Sequence, residues 1–208
     1  MKDELDKKLE CACWIAHMLF TRNKVSGSTA NLSFRHKNHI FITSSGTCFG
    51  TLNISDFTEL TISGEVVKGS RPSKEFALHQ AFYKKDPDIG GVIHTHSFYA
   101  TLWSCVVPSD ADVPIPTYTP YLSMKVGSIG IVDYAPPGSE QLFSFFRQAV
   151  QKNNAFLLKN HGPIVPGKTL MEAFYGLEEL EEACHIAWEL RNDLGIKKII
   201  APAHVNIP

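Results

Sequence analysis

Segments of strand period and segments of helix period follow one another irregularly along this chain, which excludes a doubly wound sheet built from alternating strand and helix. Leu5, Leu9, Ala12, Ala16 and Leu19 recur at helical spacing and predict an amphipathic helix over 3–21. "SGSTANLSFR" reads as a turn entering a strand, "HIFITSS" as a short β-branched and aromatic strand, and "TISGEVVKG" as a hairpin turning at Ser63-Gly64. "RPSKEFALHQAFYKKD" reads as a helix start, "IGGVIHTHS" as a strand and 98–106 as a helix. Pro108, Pro114, Pro116 and Pro120 make 107–120 irregular. "GSIGIVDY" is strand-like, a helix follows over about 138–152, and "AFLLKNHGPIVPG" reads as a strand, a break and a short strand. Thr169, with Glu172 three residues on, N-caps a last long helix striped by Leu170, Ala173, Phe174, Leu177, Leu180, Cys184 and Ala187. The expected fold class is α/β of the α+β type. It is one domain over 1–208, with a mostly antiparallel central sheet flanked by helices.

With 208 residues, 44% of them hydrophobic, the chain suits one sizeable core. The net charge is −1 and no run of five like charges occurs, so neither a nucleic-acid nor a membrane-surface partner is expected. "MKDELDKKLE" has no apolar signal core, and no apolar run approaches the ~18 residues of a membrane helix. Cys11, Cys13, Cys48, Cys105 and Cys184 are odd in number and fit neither a zinc knuckle nor a C-x-x-C pair. They are expected to be reduced, mostly buried thiols of a cytoplasmic protein.

"GGVIHTHSFYA" sets His94 and His96 one residue apart at the end of a strand-like run. In a strand both side chains point the same way, with Cα atoms roughly 6.5 Å apart. Two imidazoles at that distance can converge on one ion with bonds of about 2 Å, though the pair alone also fits ordinary polar residues at a strand end. A catalytic zinc-type site needs three protein ligands and an open position, sometimes with a carboxylate as well. His161, in "LLKNHGPIV", follows a buried-looking strand and precedes a Gly162-Pro163 break, where it can face a cleft. Glu75, in "RPSKEFALH", lies near a helix start, where the helix dipole alone would also favour a carboxylate. His79, one turn on, reads as a packing or supporting residue, His17 and His185 as structural, His36 and His39 as solvated, and His204 belongs to a Pro-rich tail. Asn31, Ser45 and Gly46 fit plain turn chemistry and equally fit phosphate binding by an amide, a hydroxyl and backbone N–H groups.

With "GSTANLS", "ITSSG", "PSKE", "HTH" and "NHG" in that order, the chain resembles the class II aldolase/adducin family from about residue 8 to 192. The best-known enzyme of that family is the metal-dependent L-fuculose-phosphate aldolase. The resemblance implies that His94, His96 and His161 bind a divalent metal, with Zn2+ the expected ion. It makes Glu75 a fourth ligand at rest and the acid/base once substrate displaces it. It assigns phosphate binding to Ala30, Asn31, Ser45, Gly46, Ser73 and Lys74.

The fuculose-phosphate aldolases carry two serines before the acid, where this chain has Ser73 and Lys74. That lysine, "TPYLSMKVG", "PPGSEQL" and "NHGPIVPGKTLMEAFYGLEELEE" are more similar to the branch of 3-oxo-tetronate 4-phosphate decarboxylases. The resemblance therefore implies a lyase that releases CO2 from a phosphorylated β-keto sugar acid through an enediolate, giving dihydroxyacetone phosphate. A ketose-phosphate aldolase, a pentulose-phosphate epimerase, a thioribulose-phosphate dehydratase and a non-catalytic adducin-like module are the alternatives on this fold. The family also implies a homotetramer with its active sites at subunit boundaries. Tyr118 and Tyr121, exposed-looking in the Pro-rich region, are the candidates for reaching a neighbouring site.

Overall fold

The computed structural model describes residues 3–193 and 195, so His204 and the outermost parts of the expected 1–208 domain lie outside the described residues. Its frame is one eight-stranded sheet. In chain order the strands are β1 (Asn31–His36), β2 (His39–Thr43), β3 (Phe57–Thr61), β4 (Val66–Lys68), β5 (Gly91–His94), β6 (Ile129–Val132), β7 (Ala155–Leu158) and β8 (Gly162–Gly167). They lie in the order β4-β3-β2-β1-β5-β8-β7-β6. Every neighbouring pair is antiparallel except β6 and β7, which run parallel. The expected antiparallel sheet is therefore present with one parallel edge. That edge arises because α5 (Glu140–Ala149) crosses over between the two strands.

Helices cover both faces, as the apolar runs of the central strands require. α1 (Glu4–Thr21), α3 (Phe98–Val106), α4 (Tyr121–Lys125) and α6 (Leu170–Glu189) pack over one core, where Leu19, Leu32, Ile93, Leu157, Val165 and Phe174 are fully or almost fully buried. α2 (Phe76–Lys85) and α5 cover the other, where Leu78 and Phe82 meet Phe146, Phe156, Val92 and Ile164. The alternation along β5 decides where the chemistry goes. Ile93 joins the first core and Val92 the second, so His94, two residues from Val92, turns toward the α2 side. Asn31 and Ile164 are paired with His94 across the sheet and share that face.

Several local expectations are corrected. His36 is buried, edge-on to Phe41, rather than solvated, while His39 bonds Glu59 at 2.6 Å. Of the cysteines only Cys184 is buried; all five are free thiols. Tyr118 is half-buried against the first core, because the Pro-rich segment folds back instead of standing off. Trp103 donates to Pro114 O at 2.8 Å and Lys159 to Val107 O at 2.9 Å, pinning that segment to α3 and to the β7–β8 turn. Tyr121, at the start of α4, is 56% exposed as expected.

Candidate metal centre

β5 ends at His94, so the strand argument for His96 holds only in part: His96 sits two residues beyond the strand end. The chain nevertheless folds it back, and the ring centroids of His94 and His96 are 5.2 Å apart. His161 enters from the β7–β8 turn, 4.7 Å from both rings. Two backbone features fix that turn. Asn160 takes the left-handed conformation, at φ 55. Gly162, at φ +146, lies so close to the Thr95 carbonyl and to Cα of His96 that a Cβ there has no room. The glycine thus lets the "NHG" turn close against the "HTH" segment. One ligand nitrogen from each of the three histidines lies within 4.8 Å of the others.

The orientation of the His94 ring follows from its backbone partner. Nδ1 of His94 donates to Pro163 O at 2.8 Å, which leaves its Nε2 as a lone pair facing the cluster. That Nε2 is 3.2 Å from Nε2 of His161. Nε2 of His96 is buried and has no partner. Burial pushes His94 down to about 3, with His96 acting in the same direction. Burial, and then His94, likewise push His161 down to about 3. His96 is lowered as well, by burial first, with Glu75 opposing and the Lys74 charge adding to the effect. Three imidazoles held neutral by burial, each offering a nitrogen within 4.8 Å of the others, are the donor set a divalent ion requires.

Glu75 occupies the N-cap position of α2 but makes no capping bond. Its side chain turns to the histidines instead, with Oε2 3.4 Å from Nε2 of His94 and Oε1 3.4 Å from Nε2 of His161. Its Oε1 is buried without a hydrogen-bond partner. Three neutral nitrogens and one carboxylate therefore fit a divalent cation, which would compensate that buried oxygen.

The remaining expected site residues gather beside this cluster. Ser45 N donates to Arg71 O at 2.9 Å and Ser73 N to Thr43 O at 3.2 Å, so the Ser45-Gly46 loop lies against the "PSKE" segment. Gly46 has φ +83 and open space in front of it. Ser73 is buried and its Oγ accepts from Glu75 N at 3.3 Å, while Lys74 is exposed and lays its aliphatic stem against Gly138. Ala30 is buried next to Asn31. The Asn31 amide is engaged at both ends: Nδ2 donates to Glu75 Oε2 at 3.1 Å, and Oδ1 accepts from Nε2 of His79 at 2.6 Å. Ser33 and Tyr83, behind His79, were not singled out in the sequence. A serine two residues from Asn31 on one strand face and a tyrosine four residues from His79 on one helix face were the available signals.

The 3-oxo-tetronate 4-phosphate decarboxylase of Pectobacterium atrosepticum is 37% identical over 172 residues, covering 82% of this chain and 79% of that protein. The L-fuculose phosphate aldolase of Methanococcus maripaludis is 34% identical over 178 residues, covering 86% of this chain and 94% of that protein. The crystal structure of YgbL from Escherichia coli superposes with a TM-score of 0.88 at 34% identity, covering 93% of both chains. The profile of the Class II Aldolase and Adducin N-terminal domain matches residues 11–188, a span that contains every site residue described above, and the chain belongs to that family.

Proposed function

We propose that this chain is a metal-dependent carbon–carbon lyase that decarboxylates a 3-oxo-tetronate 4-phosphate to dihydroxyacetone phosphate and CO2. It would work as one domain in a cytoplasmic homotetramer, with His94, His96, His161 and Glu75 holding Zn2+. The observation that carries the choice of reaction is Lys74. It stands next to Glu75, rests on Gly138, and lies close enough to the cluster that its charge bears on His96 and His161. The likeness to curated decarboxylases at 34–37% identity over most of the chain supports the same choice.

When bound, the ion supplies Lewis acidity to the substrate ketone and takes up the negative charge that develops as the bond breaks. Ser45, Gly46 and Ser73 form the proposed phosphate subsite, walled by Ala30 and Asn31. Lys74 pairs with the carboxylate or the phosphate of a substrate that is anionic at both ends. The bond between the carboxylate carbon and its neighbour breaks, CO2 leaves, and the electron pair stays on the carbon beside the ketone. That carbon then takes a proton from Glu75 or another acid; Glu75, displaced from the metal position by the arriving substrate, would collect this proton from solvent before passing it on.

The aldolase reaction is the alternative, since the curated relatives include the archaeal L-fuculose phosphate aldolase. The test is to incubate the zinc-loaded protein separately with 3-oxo-tetronate 4-phosphates and with fuculose 1-phosphate. CO2 from the keto acid is expected. An aldehyde from fuculose 1-phosphate with no CO2 from the keto acid would overturn the proposal.

A further inference from the structure

Behind the metal centre, and outside the chemistry assigned so far, a buried chain of side-chain hydrogen bonds joins β1 to α2. Ser33 Oγ lies 2.8 Å from Tyr83 Oη and 2.8 Å from Nδ1 of His79. Nε2 of His79 lies 2.6 Å from Asn31 Oδ1, and Asn31 Nδ2 lies 3.1 Å from Glu75 Oε2. Ser33 and His79 are wholly inaccessible, Tyr83 is 3% exposed and Asn31 5%.

Each link dictates the next. An ionised carboxylate only accepts, so Asn31 must turn its NH2 toward Glu75 and its carbonyl oxygen toward His79. That oxygen only accepts, so Nε2 of His79 carries the hydrogen and Nδ1 is the lone pair. Nδ1 then accepts from the Ser33 hydroxyl, whose oxygen accepts from Tyr83. Burial holds His79 neutral by pushing it down to about 3, and burial pushes Tyr83 upward, so both side chains keep the required protonation. All four donors point the same way, toward Glu75.

We propose that Tyr83, Ser33 and His79 form a one-way positioning relay that locks the Asn31 amide with its NH2 facing Glu75. An asparagine amide has two nearly isosteric orientations, and in the wrong one its oxygen would confront the carboxylate. His79 selects the right one by occupying the oxygen side. His79 touches no substrate; it acts through Asn31 on the placement of Glu75. The relay rests on the reading of Glu75 as metal ligand and acid/base, and it names the residues that make that role reliable.

Two measurements test it. In zinc-loaded protein labelled with 15N-histidine, His79 should show the neutral Nε2–H tautomer throughout pH 6–9. An Nδ1–H tautomer, or a His79 that titrates in that range, would overturn the relay without reference to turnover. His79→Leu removes the donor, whereas His79→Gln sets an amide N–H near the position of Nε2. His79→Leu should lower kcat and zinc affinity by about 10–100-fold, the usual cost of losing a partner behind a metal ligand. His79→Gln should recover most of both. Equal losses in the two variants, at melting temperatures matching each other, would reduce His79 to a packing role, and no loss in either would remove the relay. Near-normal turnover in Glu75→Gln would instead overturn the role of Glu75 itself, so the two failures are distinguishable.

Discussion

Oε1 of Glu75 stands 3.4 Å from Nε2 of His161 and has no hydrogen-bond partner of its own. Two acceptors so close, one of them an orphaned carboxylate oxygen, repel unless a cation or a proton lies between them. A neutral His161 could carry its one hydrogen on Nε2, so the case for the cation rests on the three histidine nitrogens that lie within 4.8 Å of one another beside this carboxylate. One divalent ion per chain is therefore expected by elemental analysis after removal with chelator and reloading. His94→Ala and His161→Ala should each lose most of it. Wild-type metal content in both variants would rule out the site.

Glu75→Gln preserves shape and can still meet the Asn31 amide, but it cannot cycle a proton. Turnover should fall by about 10²–10⁴, the range that a general acid or base supplies. Circular dichroism should be unchanged and much of the metal retained. A kcat near the wild-type value would remove Glu75 from the mechanism.

Acid should destabilise the metal-free protein in a defined window. His79, His94 and His161 are each pushed down to about 3 by burial, whereas in the unfolded chain they titrate near 6.5. Below about 6.5 the unfolded state binds protons that the folded state refuses, so the ordinary fold stability is present above that pH and lost as the pH falls toward about 3. Urea midpoints of the apo protein should fall steadily across that range. Replacing His79 by Gln should make the slope shallower. A flat profile between pH 6.5 and 4.5 would contradict the burial of these three side chains.

How much of this was legible in the sequence depends on the range of the interactions. The histidine cluster was legible in part: the period of β5 places His94 and the break that Gly162 permits places His161, whereas His96 lies beyond the strand and is brought in by the fold. The N-cap position of Glu75 was legible too, but local chemistry misleads there: the helix dipole predicts a carboxylate for capping, and tertiary contact turns it to the histidines. The relay was not legible, because Ser33 and His79 meet only when α2 packs across β1. The same limit explains Tyr118. Prolines mark irregular chain but do not say that it folds back, which depends on Trp103 and Lys159 holding two of its carbonyls. The parallel β6–β7 edge is likewise a matter of which way α5 crosses, not of either strand's composition.

The exposed side chains Phe98, Val106, Tyr121 and Met124 follow the metal-site segment and the Pro-rich segment in the chain, and their exposure is 63%, 54%, 56% and 41%. Large apolar side chains left in water on neighbouring stretches suit burial against another copy. A closed ring of four is the expected assembly, formed through a head-to-tail interface. Light scattering should give four chains. Tyr121→Asp should shift the mass downward and lower kcat/KM together with it. A monomer fully active at low concentration would refute this assembly.

The sharpest prediction concerns Lys74. A β-keto acid phosphate carries anions at both ends, whereas a ketose phosphate carries one, and Lys74 places a positive charge that bears on His96 and His161. Its stem rests on Gly138, where an added Cβ would stand 3.0 Å from its Cδ, so the glycine leaves the lysine room to lie toward the histidines. Lys74 is exposed, so the full interaction of about 4 kcal/mol for charges 4 Å apart at an effective dielectric near 20 does not survive solvent screening. About a quarter of it would still favour the doubly anionic substrate roughly fivefold, since about 1.4 kcal/mol is tenfold. Lys74→Ser should therefore lower kcat/KM for the tetronate phosphate by more than for any ketose phosphate. If both substrate classes lose equally in Lys74→Ser, the lysine is a general phosphate ligand, and the preference for the β-keto acid must come from elsewhere in the site.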